Sequence, residues 1–219
     1  MANRSTSGFG LRMAMRLGNT PAIGGQSKYA IKSGLGVGIF KGNPASIQLA
    51  GDTGYIQDSA FSTTDDGNDG GIDFTTANDA LLVGVHNGVF FIDGTTSKPT
   101  FANSVAASAT FGTNPNTGST NGVAFVNDDP DQEYVVKADA AVGQAIFGLC
   151  GNINDFAAGD AKDGASTATF DSGTQGETKM FRIVRSAEDP DNEDLTAAGA
   201  NIVVVMNSAA NHYINGRDA

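Results

Sequence analysis

The sequence has no tryptophan, a single cysteine, two histidines and only 17% charged residues. One cysteine, Cys150, excludes an internal disulfide. Its setting in Ala145-Ile-Phe-Gly-Leu-Cys150 reads as a small buried hydrophobe. No window approaches the roughly 18 apolar residues of a membrane span, and the opening MANRSTSGFG has no apolar signal core. The chain is therefore expected to fold in a reducing cytoplasm and to involve no membrane. The two histidines, His86 and His212, have no nucleophile motif, metal-spaced carboxylate or phosphate loop beside them. The expectation is a protein that is not an enzyme.

Acidic residues are also missing from one end. The first 51 residues hold Arg4, Arg12, Arg16, Lys28, Lys32 and Lys41 but no Asp or Glu, which leaves 7 basic and 24 acidic residues beyond them. Three arginines among Gly and Ser are a thin footprint for nucleic acid, and the acidic body would repel phosphates. A basic arm that docks on an acidic protein surface fits this asymmetry better, and no nucleic-acid partner is expected.

What is abundant is glycine, 29 of 219 residues, with Ser, Thr, Asn and Asp filling most of the rest. Such a composition makes turns and short elements, not long helices. The length suits one large β domain or one domain with arms, and is sufficient to fold without a metal or disulfide.

Residues 1–26 mix Gly, Ser, Asn, Arg and Met without a period and read as an extended N-terminal arm. Residues 27–206 read as a β-rich domain and residues 207–219 as a polar tail. Within the domain, Tyr29, Ile31, Val37, Ile39 and Phe40 suggest two short strands, and Gly54–Gln57 another. Ala80–His86 and Val89–Ile92 flank Asn87-Gly88, a dipeptide suited to a two-residue hairpin turn with positive φ at both positions. His86 then falls on a hairpin surface. Val123–Val126 and Glu133–Lys137 flank the turn at 128–131. Ala138–Gln144 suggests a helical turn, Ala145–Leu149 a buried strand, and 106–120 and 151–178 polar loops. Met180–Val184 alternates, Glu188–Asp194 is an acidic turn, and Ile202–Met206 is continuously apolar. Roughly ten short strands without βαβ alternation predict an all-β fold, a compact β-sandwich or β-barrel of short antiparallel strands.

Oxygen ligands are dense at Asp65, Asp66, Asn68, Asp69 and Asp73, but counting from Asp65 the third position is Gly67 and the twelfth Thr76, unlike an EF-hand loop. These residues read as solvated turn chemistry, so no metal and no cofactor is expected.

The run Leu82-Val-Gly-Val-His-Asn-Gly-Val-Phe-Phe-Ile-Asp-Gly-Thr-Thr-Ser-Lys-Pro-Thr-Phe-Ala-Asn103 resembles virion structural proteins of tailed bacteriophages, particularly marine ones. Ile39-Phe-Lys-Gly-Asn-Pro44, the stretch from Asn127 to Asp139, the closing Asp189–Thr196 and the opening MANRSTSGFGLRMAMRLGNTPA are similar in the same order. Together they cover about half of the chain. The resemblance implies a capsid decoration (cement) protein on the outer surface of a phage head, assembled in the host cytoplasm, with a tail, fibre or host-recognition β protein as the alternative. The partners would be the major capsid protein and copies of the protein itself, since linked copies bind a repetitive shell more tightly; a trimer is favoured because decoration proteins often sit at local threefold axes, with a monomer or dimer as the alternative. The candidate contacts are Phe9, Leu11, Met13, Met15 and Leu17 as apolar anchors, Arg12 and Arg16 as charged ones, and Tyr213 and Ile214 in the tail.

Overall fold

A computed structural model describes residues 3–22, 24–47, 54–58, 82–154, 159–177 and 179–208. The protein is all-β, and its sheets are antiparallel. The first strands are β1 (Arg12–Arg16), β2 (Ser27–Ile31), β3 (Ile39–Phe40), β4 (Pro44–Ile47) and β5 (Ile56–Asp58). The longest, β6 (Leu82–Ile92), is followed by β7 (Pro99–Ala102), β8 (Ser104–Val105), β9 (Gly122–Asn127) and β10 (Gln132–Lys137). After a 3₁₀ turn at Gln144–Ile146 come β11 (Cys150–Asn154), β12 (Thr169–Gln175), β13 (Phe181–Ser186) and β14 (Asn201–Met206).

One sheet runs in the order β1-β10-β14-β13-β11-β12. The other runs β2-β9-β6-β4-β5, with β7 also on β6, and β3 with β8 forms a small ribbon. The apolar run Ile202–Met206 lies at the middle of the first sheet, buried at every position of β14. Ile202, Val204 and Met206 join Tyr134, Phe170, Phe181 and Ile183 in one core. Such a run needs cover on both faces, as a central strand has.

A second core gathers Ile31, Ala45, Val83, Val89, Ala124 and Val126 of the second sheet with Ile39 of the small ribbon, and β6 serves both cores, since Leu82 and Val85 belong to the first. Two register shifts in β6, opposite Ala45/Ser46 and between His86 and Gly88, change which face its side chains occupy. Tyr134 ties the two sheets together: its buried hydroxyl donates to Asn127 Oδ1 at 2.7 Å.

Several expectations are corrected. Asn87-Gly88 is not a hairpin turn: His86 pairs with Val126 and Gly88 with Phe125, so Asn87 is the extra residue of a bulge in an unbroken strand. Apolar residues on both sides of Asn87 are buried against two cores by one long strand, which a two-stranded hairpin could not provide. His86 is accordingly buried, not on a surface, and its backbone exchanges hydrogen bonds with Gly42 and Asn43. Ala145–Leu149 is no buried strand. Gly143 and Gly148 take positive φ on either side of a 3₁₀ turn, and Leu149 is exposed. The stretch 151–178 is not all loop, because cross-strand pairing recruits its small polar residues into β11 and β12. Val37 lies exposed in a bend.

Candidate assembly surface

The N-terminal segment is extended, and it is bonded along the β domain from Asn3 to Leu17. Asn3 Nδ2 donates to the carbonyls of Asp194, Ala197 and Ala198 at 3.0, 3.3 and 2.9 Å. Farther along, Gly10 N donates to Ala168 O, Leu11 N to Gly42 O, and Leu17 N to Asp131 O. Between these points Arg12 pairs with Val135 and Met13 with Tyr134, making β1 the edge of the first sheet.

The basic end finds acidic turns of its own chain. Arg4 lies 3.0 Å from Asp191, and Arg16 lies 2.6 Å from Asp129 and 3.4 Å from Asp131. Phe9 lies near two further cations, with the Arg12 guanidinium 4.2 Å and the Lys137 ammonium 5.7 Å from its ring centroid. Lys137 donates to Ser5 O at 2.9 Å and Gly199 O at 3.2 Å. Burial pulls its pKa below the usual lysine range, with Asp189 opposing and Arg12 adding to the shift.

The candidate contact residues therefore divide. Leu11 is 3% exposed and packs in the first core, anchoring the segment to its own domain. Phe9 is half-buried, and Arg16 is engaged by the turn at 128–131. Met13, Met15 and Leu17 remain 37%, 46% and 40% exposed along or just beyond β1, beside an exposed Arg12. Among the described residues no strand pairs with the outer side of β1, apart from the tight bridge of Arg16 to Thr20. Tyr213, Ile214, His212 and the Asp65–Asp73 loop lie outside the described residues. No group of three or more His, Cys, Asp or Glu able to hold a metal occurs among the described ones. No helix there is long and apolar enough to cross a membrane.

Two features escaped the sequence reading. Phe101 is 74% exposed on β7, its ring 4.5 Å from that of Phe90 and 6.4 Å from that of Phe125. Strand alternation places Phe90 on this outer face while its neighbour Phe91 stacks on Phe111 at 4.9 Å against the second core. The adjacent pair Phe90-Phe91 was the available signal. The other feature is a cavity of about 400 Å³ between β1 and the bulge of β6, whose walls come from segments far apart in sequence.

No protein family, curated protein or solved structure matches the chain.

Proposed function

We propose that the protein is a structural component of a tailed-phage virion, a capsid decoration protein that binds and stabilises the outer surface of the head. The observation that carries this reading is the edge strand β1 with the residue that follows it, where Met13, Met15 and Leu17 stay exposed on a backbone bonded to the β domain. An edge strand with exposed apolar side chains offers a partner both main-chain and side-chain contacts. The sequence resemblance to phage virion proteins gives that partner its identity, the major capsid protein. Self-association, as a trimer, would multiply contacts that are weak alone. Assembly would take place in the host cytoplasm and the product reside on the capsid surface.

A tail or fibre protein is the second reading, favoured by the exposed Phe101 ring with half-buried Phe90 and Phe125 beside it, a surface that a ligand other than a shell could cover. Quantitative mass spectrometry of purified virions separates the two. A copy number comparable with that of the major capsid protein is the expected result, and a small fraction of it would assign the protein to the tail. For the contact itself, the double substitution Met15→Asp with Leu17→Asp should leave a folded protein that no longer binds capsids. Undiminished binding would remove β1 from the interface.

A further inference from the structure

The cavity beside β1 has an unusual charge for this molecule. The protein carries 24 acidic and 13 basic residues, yet the charged side chains among the described residues lining the cavity are Arg12 and Lys41, with no acid. Neither cation is ion-paired among the described residues: the carboxylates there that form salt bridges are taken by Arg4, Arg16 and Arg185. Arg12 is positioned by the Phe9 ring, and Lys137, 5.7 Å from the centroid of that ring, adds positive potential.

The remaining walls are largely apolar, from Phe9, Met13 and Val85. The uncharged polar side chains there are His86, Asn127 and Asn87, and of these His86 is already engaged. As the extra residue of the β6 bulge Asn87 reaches this cavity, and its side chain makes no hydrogen bond among the described residues. The Asn127 amide, by contrast, is engaged within the fold, donating to Gly25 O at 3.0 Å and accepting from Tyr134. A volume of about 400 Å³ is in the range of pockets that bury a small organic group. An apolar body with two cations and one free amide at its polar side is complementary to an apolar group ending in a carboxylate. It is a poor match for a phosphate chain, which would leave the apolar walls unused.

We infer that this cavity is a receptor for a carboxylate-tipped apolar group, presented by an acidic segment of the protein partner on which this chain assembles. The identity of the presenter rests on the proposed assembly role, whereas the ligand chemistry rests on the cavity alone. The bulge at Asn87 and the edge strand β1 then act together: the exposed apolar side chains at the strand cover the partner, and the cavity takes one acidic side chain beside them.

The test uses the full chain and two small ligands, 3-phenylpropionate and its neutral amide. NMR titration should show saturable shifts of the Met13 methyl and the Arg12 side-chain resonances with the carboxylate, and at least tenfold weaker binding of the amide. Arg12→Gln combined with Lys41→Gln, both at exposed side chains, should melt cooperatively and lose at least tenfold in carboxylate affinity. Lys41→Gln alone, which leaves β1 untouched, should lose a smaller part. Equal binding of acid and amide, or shifts unchanged in the double variant, would overturn the ligand chemistry. In a second arm, excess 3-phenylpropionate should release the protein from purified capsids. Capsid binding that persists with the cavity saturated would overturn the presenter while leaving the assembly role standing. An unaltered protein that binds no capsids would instead sink the assembly role and with it the presenter, leaving the titration to decide the ligand.

Discussion

Arg16 and Asp129 lie 2.6 Å apart although 113 positions separate them in the chain. Asp129 belongs to the turn between β9, in the second sheet, and β10, in the first. The pair therefore fastens the first strand to the point where the chain passes from one sheet to the other. Leu17 N donating to Asp131 O reinforces it. The basic N-terminal end and the acidic turns, which look like separate charge blocks in the sequence, are here partners in one fold.

Because both side chains remain partly exposed, the pair should contribute modestly. Arg16→Gln is expected to cost roughly 0.5–1 kcal/mol, more at low than at high salt. Hydrogen exchange would locate the effect, with faster exchange confined to β1 and the turn at 128–131. A loss that does not depend on ionic strength would show that the arginine acts through packing.

Glu133 presents the opposite case. It is buried, and Arg185 Nη1 is within 2.8 Å of both its carboxylate oxygens. Register places Glu133 opposite Val205 and Arg185 opposite Val203, so the ion pair lies over the apolar β14. Arg185→Met would strand a buried charge, and since Arg185 is itself partly exposed the cost should be about 2 kcal/mol, below that of a fully buried pair. Adding Glu133→Leu should recover most of that loss. Urea unfolding of both variants measures it, and a double variant no more stable than Arg185→Met would contradict the charge argument.

How far the sequence could be read depended on whether the decisive contacts were local. Ile202–Met206 declared itself as a buried strand because its apolar run needs two covered faces, and Glu133–Lys137 and Val123–Val126 stood out for the same kind of reason. Their nearness across the turn at 128–131 carries no pairing, since that turn joins different sheets and β9 and β10 each pair elsewhere. Asn87-Gly88 was misread because a turn dipeptide has no intrinsic power to break a strand that neighbours hold on both edges. β11 and β12 were missed because Gly, Ser and Asn give no alternation, and only pairing makes them strands. In the candidate surface, Met13, Met15 and Leu17 were named as apolar anchors of the arm, and they are exposed. Leu11 looked like another such anchor, and its burial depends on a core built from residues far along the chain. The Arg12–Lys41 cavity has no local signature at all.

Gly199 offers a check on how the N-terminal segment is seated. It has φ of 86°, and a Cβ there would press into the Ser5 carbonyl. Gly34 has a similar φ of 80° with nothing within 4 Å of such a Cβ. Gly34→Ala should cost about 1 kcal/mol from backbone strain alone. Gly199→Ala should cost about 2–3 kcal/mol, the added part reflecting displacement of Ser5 and of its bond to Lys137. Thermal unfolding compares the two, and equal losses would mean that residues 3–7 yield without resistance.

Acid should release the same segment. Asp189 is held below the usual carboxylate range by hydrogen bonds, first from the Asn192 side chain, then from Asp191 N, and it also accepts from Asn201. Asp194 is lowered likewise by the hydroxyl and backbone N–H of Thr196, and its own backbone N–H donates to Asn3 Oδ1. A carboxyl whose folded pKa lies below its unfolded value stabilises the fold above the unfolded value, and that contribution disappears as the pH falls through the folded one. Stability should thus be level near neutrality and decline from about pH 4 downward. Asp93 is lowered as well, by the backbone N–H and side chain of Thr96, but it lies in a turn away from the N-terminal seat. Asp189→Asn should therefore flatten the acid dependence of hydrogen exchange at residues 3–7, while Asp93→Asn should leave those amides unchanged. If Asp93→Asn altered them equally, acid would be loosening the domain as a whole and not the seat of its first strand.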